Sequence, residues 1–150
     1  MKNRRVVKFL SRALLFGGLL SVAMGALGSA IYTYRDKPNP EAFDAAMARL
    51  RSHGLDPEKI ERLGIIDFGK ASFFRRLAIY GPGGEVKQYL VSHGKNSGSV
   101  WATDFSNEPG SKMSSLGLFK IGESYAGKHG LSYYMEGLDE GVNDNAMDRY

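Results

Sequence analysis

Gly122-Glu123-Ser124-Tyr125-Ala126-Gly127-Lys128 has the GxxxxGK spacing of a phosphate loop, in which backbone amides and a lysine would cradle phosphates. The next residue is His129, where Ser or Thr should hold magnesium, and Gly130, Tyr133 and Tyr134 stand where a helix should follow. The segment therefore reads as strand and turn. The three histidines, His53, His93 and His129, include no pair at helical ligand spacing, so no metal site is expected. Asp139, Glu140, Asn143, Asp144, Asn145 and Asp148 make an oxygen-rich stretch without the alternating acids, turn glycine and closing glutamate of a calcium loop. Turn and cap chemistry explains it more simply. A serine triad can be assembled on paper from Ser97, Ser114 or Ser115 with His93 or His129 and an acid, but nothing local resembles a nucleophile elbow. The sequence has no cysteine, which excludes thiol nucleophiles, thiolate zinc sites and iron–sulfur clusters within it. Trp101, Phe73 and Phe74 read as packing residues. His53 falls at a helix C-terminus, where a partly positive imidazole is favourable.

These groups must be positioned by a β-rich body behind a short helical lead-in. Asn39-Pro40-Glu41 combines an N-cap residue, a pre-set φ and a first-turn acid, and Ala42, Phe43, Ala46, Met47 and Leu50 recur at helical spacing until Gly54 stops the run. Asp56-Pro57-Glu58 opens a second, shorter helix carrying Ile60 and Leu63 on one side. From Gly64 onward the pattern changes to short apolar stretches divided by glycine. Strands are expected over Ile65–Phe68, Phe73–Tyr80, Glu85–Ser92, Leu116–Ile121 and Leu131–Met135, with Gly81-Pro82-Gly83-Gly84 turning the second into the third. Fourteen of the 19 glycines lie from Gly64 onward, as tight turns in a β-rich body require.

A net charge of +4 invites a nucleic-acid reading, but five of the basic residues (Lys2, Arg4, Arg5, Lys8 and Arg12) precede the first acid, Asp36. From Ile31 onward, 15 basic residues face all 16 acids, and only Arg75-Arg76 clusters. Phosphate binding needs clustered Lys and Arg on one face, so that pair reads as a solvated strand face and no nucleic-acid partner is expected. Ala13 to Tyr34 carries no charged side chain over 22 residues. The basic start, apolar middle and Gly28-Ser29-Ala30 form a secretory signal with cleavage after Ala30, or, if uncleaved, a membrane-directed helix with the basic end cytoplasmic.

One stretch reads better as a whole. Val91-Ser92-His93-Gly94-Lys95-Asn96-Ser97-Gly98 is followed by Ala102 to Phe105, Ser106-Asn107-Glu108-Pro109-Gly110-Ser111 and Ser114-Ser115-Leu116-Gly117. Then come Gly127-Lys128-His129-Gly130-Leu131-Ser132, Gly137-Leu138, Gly141-Val142-Asn143-Asp144-Asn145-Ala146 and Asp148-Arg149. From about Phe68 to Tyr150 the chain resembles the murein L,D-transpeptidase catalytic-domain family, a YkuD-like group of exported bacterial proteins.

The resemblance implies a mainly β fold, a β-sandwich or open barrel, with two short helices and the membrane-directed N-terminal helix in front. It implies three segments: 1–30 as signal or anchor, 31–63 as helical lead-in and 64–150 as the N-terminal part of the catalytic domain. It also implies acyl transfer on peptidoglycan stem peptides in the periplasm or cell envelope, with no cofactor: a cysteine thiolate attacks a diamino-acid carbonyl, a histidine is general base, and backbone amides hold the oxyanion. In that family the His-Gly pair and the Gly-Cys segment lie C-terminal to the equivalent of Asp148-Arg149. The sequence is thus expected to be truncated before both, to hold no catalytic residue and to be inactive alone. His93, Asn96, Ser115 and His129 sit in the shared motifs, where they would shape a substrate groove or brace active-site strands. Partners would be stem peptides and, if the apolar segment is retained, the membrane through residues 13–34. A non-catalytic envelope protein that binds peptidoglycan or supports a partner enzyme is the alternative.

Overall fold

Helix α1, Pro40–Ser52, begins at Asn39 as the capping signal predicts, although the Asn39 side chain makes no capping bond. Its end is set by Gly54, which takes φ +68° and lets Leu55 N–H reach back to the Leu50 carbonyl at 3.0 Å, closing the last turn. These elements come from a computed structural model that describes residues 38–149. The expected membrane-directed segment, residues 13–34, lies outside the described residues. Among those described, no helix is long and apolar enough to cross a membrane. The expected second helix is only a 3-10 turn, Pro57–Lys59. Asp56 caps it at the Glu58 amide, but three residues cannot propagate an α-helix, and Leu63 passes into the first strand instead.

Strands β1 (Leu63–Ile66), β2 (Leu77–Tyr80) and β3 (Val86–Tyr89) form one antiparallel sheet in that order. The β2–β3 turn is the glycine-rich one read from sequence, with Gly81 N–H donating to the Glu85 carbonyl. Strands β4 (Phe119–Gly127) and β5 (Gly130–Gly137) form a separate antiparallel hairpin. Among the described residues the fold is β-rich with one α-helix. The GxxxxGK spacing lies along β4 and its tight Lys128-His129 turn, with no helix after it.

Four strands are shorter or shifted relative to the sequence pattern: β3 covers only Val86–Tyr89 of the expected Glu85–Ser92, and the other three differ for a local reason. Asp67 ends β1 because its carboxylate turns back to accept from Gly69 N–H (3.0 Å) and Asn39 N–H (2.9 Å). Phe73 to Arg76 does not extend β2, since Phe74 N–H is spent on the Ala71 carbonyl in a turn. Strand β4 starts at Phe119, later than Leu116, because the Leu118 amide is taken by the Asp139 carboxylate.

The apolar core is thin. Leu50, Ile65, Ala71 and Ala78 are its fully buried members, and the Phe43 and Tyr80 rings, 5.7 Å apart, join α1 to β2. Six polar or charged residues are buried alongside: Asp67, Lys70, Arg76, Ser97, Asp139 and Asn143. A buried polar group costs stability unless it is hydrogen-bonded, so where these six find partners largely decides the fold. The hairpin, in contrast, keeps an apolar stripe in solvent. Ile121 opposite Met135, Tyr133 and Leu131 share one face in the register, and all four are exposed.

Candidate functional site

Arg76 is only 1% exposed, which corrects the expectation of a solvated strand face. Its planar fork donates to the Val91 carbonyl (Nε, 3.1 Å), the Lys70 carbonyl (Nη1, 3.1 Å) and His93 Nδ1 (Nη2, 2.7 Å), and the guanidinium lies 5.0 Å over the Phe68 ring. Burial lowers the Arg76 guanidinium from its ordinary value, against the opposing pull of Asp67. Arginine has no acceptor, so His93 Nδ1 must be the unprotonated nitrogen. The proton then sits on Nε2 and is donated to the Gly98 carbonyl at 3.2 Å. Both ring nitrogens of His93 are occupied, which leaves no lone pair to take a proton from a substrate.

The loop after His93 closes on residues 111–114. Gly94 N–H donates to the Ser114 hydroxyl (3.0 Å), Asn96 N–H to the Lys112 carbonyl (3.0 Å), and the Asn96 amide group to the Ser111 carbonyl (2.8 Å). Ser97, fully buried, accepts from Ser114 N–H through its hydroxyl at 2.8 Å. His93 and Asn96 are thus brought into one clasp. Ser115 is half-buried next to it, but the hydroxyl that enters the clasp is that of Ser114. His129 lies apart, exposed in the two-residue turn of the β4–β5 hairpin.

A second polar cluster centres on Asp139. One carboxylate oxygen accepts from Arg49 Nε (2.8 Å) and His53 Nε2 (2.6 Å), and the other from Leu118 N–H (2.6 Å). Burial alone would raise this carboxyl, but the Leu118 amide, then His53 and Arg49, outweigh it and hold it below its ordinary value. Asn143, also fully buried, accepts from Asp139 N–H and donates to the Leu118 carbonyl. The chain can pass this close only because Gly117 and Gly137 lack side chains. A Cβ on Gly137 would stand 1.8 Å from the Asn143 carbonyl oxygen.

Beyond it, the 3-10 turn Asp144–Asp148 is bracketed to residues 106–113. Asn107 donates to the Asp144 carboxylate and accepts from Asn145 N–H, while Arg149 donates to the Ser106 and Met113 carbonyls. The later part of the oxygen-rich stretch is thus turn and cap chemistry, whereas Asp139 is a buried ion-pair centre. Among the described residues, no group of three His, Asp or Glu is placed to hold a metal.

An apolar cleft of about 390 Å³ opens between these braces, walled by Ala42 and Ala45 of α1, Ile66 to Gly69, Ala102, Phe105 and Leu116. The Phe68 and Phe105 rings meet in its wall at 5.4 Å. The cleft is a shallow depression, largely open to solvent.

A family model described as the L,D-transpeptidase catalytic domain matches residues 35–150. The chain belongs to this family. No match was found to a curated protein or to a solved structure. The family match begins well upstream of Phe68 and takes in α1. Arg49 and His53, at the C-terminal end of α1, supply two of the three donors to Asp139 and so tie α1 to the rest of the matched region.

Several residues that hold this L,D-transpeptidase family member together were missed from sequence. Arg76 looked like half of a charged pair, and Asp139 like one acid among several. Trp101 and Phe73 looked like packing residues, yet they are 55% and 62% exposed. The available signal was the glycines around Asp139 and Asn143: Gly117 and Gly137 permit the close approach, and Gly141 takes a left-handed turn at φ +70°.

Proposed function

We propose that these residues form the framework of an exported L,D-transpeptidase that acts on peptidoglycan stem peptides. The two sheets would then belong to a β-sandwich or open barrel, and residues 1–30 would direct the chain to the periplasm or cell envelope as signal or anchor. The family match over residues 35–150 carries the reading. His93, Asn96 and the neighbouring Ser115 brace the strands around the cleft, a role that the occupied ring nitrogens of His93 support. His129, on the exposed hairpin turn, is placed to meet substrate or a neighbouring element. The acyl step needs a thiolate, and no cysteine occurs among these 150 residues, so they do not perform transfer alone.

The test is intact-mass spectrometry of the 150-residue chain after incubation with muropeptides, with cross-linking assayed in parallel. No acyl adduct and no cross-linked product are expected. A trapped acyl adduct would refute the framework reading. The preformed cleft and its hydrogen-bonded rim favour a second reading, a non-catalytic peptidoglycan-binding envelope protein. Under that reading the chain sediments with purified sacculi at low salt.

A further inference from the structure

Trp101 and Phe73 expose more than half of their surfaces, at a site that neither the braces nor the cleft uses. We propose that they form an aromatic platform for the glycan strand of peptidoglycan, a chain of β-linked N-acetylated amino sugars. This rests on the peptidoglycan reading above and names the part of that polymer the surface would take.

Three observations support it. First, the two residues are neighbours in the fold: Ser72 N–H donates to the Val100 carbonyl at 2.8 Å, so the Cα atoms of Phe73 and Trp101, each one residue further on, are at most about 14 Å apart, and both side chains are exposed. Second, the platform is held in advance of binding. Thr103 N–H and Asp104 N–H both donate to the Ser97 carbonyl, and the turn leaves no room for a side chain at Gly98, where a Cβ would lie 2.1 Å from the Trp101 carbonyl oxygen. Phe73 is steadied by Phe74, ring centroids 4.6 Å apart at 53°. Ordering costs on binding are correspondingly small.

Third, the surroundings suit a sugar better than a protein. A protein interface is built around a continuous apolar centre. Here exposed hydrogen-bonding groups, Ser99, Thr103 and Asp104, stand within three residues of Trp101 in the chain, the last two joined at 2.7 Å. A pyranose has the matching character, with C–H faces that suit the negative face of an aromatic ring and hydroxyls at its rim. The platform adjoins the cleft through Ala102, so a glycan seated there would carry its pendant peptide beside the cleft.

Trp101 is the sole tryptophan of the chain, so its emission reads this site alone. The full chain, purified in detergent, is titrated with a soluble β-1,4-linked N-acetylglucosamine tetramer, with maltotetraose as control. A saturable blue shift with the first sugar and none with the second is expected. F73A, at an exposed position that leaves the fold intact by circular dichroism, should weaken binding by about three- to tenfold. An unchanged spectrum up to about 10 mM tetramer, an equal response to maltotetraose, or full affinity in F73A would each overturn the proposal. A sugar-free stem tetrapeptide, followed by calorimetry, separates the two readings. Peptide binding with a silent tetramer removes the platform and leaves the stem-peptide reading standing, whereas tetramer binding without peptide binding does the reverse.

Discussion

Replacing Asp139 with alanine should be among the most damaging single changes in this protein. The substitution removes the acceptor of the Leu118 amide, and a donor left unpaired out of water costs about 1–3 kcal/mol. The His53 bond at 2.6 Å is charge-assisted and adds about 1–2 kcal/mol. The Arg49 side chain is 48% exposed, so solvent screening limits its share to under about 1 kcal/mol. Together these give about 2–6 kcal/mol, which brackets the range of about 3–5 kcal/mol typical of breaking a buried pair from one side. The assay is urea unfolding of the full chain followed by circular dichroism, with R49A, H53A and the double variants to isolate each coupling. Asp139→Asn keeps the shape but turns an N–H₂ toward one of the three donors, and should cost about half as much.

The same carboxylate predicts an acid dependence. Its folded value lies below the ordinary 3.8, because the Leu118, His53 and Arg49 donors outweigh burial, so the unfolded chain binds its proton first as pH falls. The stability it contributes is complete above that ordinary value and drains away as pH falls through the lower folded value. The Asn variant should lose this share of the acid sensitivity while keeping the rest. A D139A cost under about 1 kcal/mol, or no coupling between His53 and Asp139, would show that this cluster does not hold α1 to the β4–β5 hairpin.

Two further outcomes follow from the close contacts. Arg76→Lys keeps the charge but can reach only part of the Val91, Lys70 and His93 acceptor set, and should cost about 2–3 kcal/mol in the same urea assay; wild-type stability would mean that the fork is dispensable. Gly137→Ala drives a Cβ into the Asn143 carbonyl and should cost more than about 3 kcal/mol or prevent folding, whereas Gly54→Ala meets open space and should cost only the left-handed strain of about 1 kcal/mol; equal effects would contradict the packing described around Asn143.

What could be read from sequence was local. The start and end of α1 follow from Asn39-Pro40 and Gly54, because capping and a left-handed residue act within one turn. The β2–β3 hairpin follows from its four-residue glycine-rich turn, and the strand character of Gly122–Lys128 from the aromatic and glycine residues after it. Absence of a thiolate nucleophile within these residues needs nothing beyond the composition. Strand limits were less legible, since Asp67 and Phe74 divert backbone groups into turns that alternation does not reveal.

The sequence by itself determined the family, the boundaries of α1, the tight turns and the missing thiol, since each depends on residue types or on neighbours a few positions apart. Tertiary structure decided which charges are buried. Arg76 turns inward because acceptors at Val91 and His93 await it, and Asp139 can ionise out of water because His53, 86 positions away, and Arg49 converge on it. It also decided that Trp101 is exposed, in a turn whose backbone is fastened to Ser97. A polar group is worth burying only when its partners arrive together, and chain separation hides that convergence until the fold is formed.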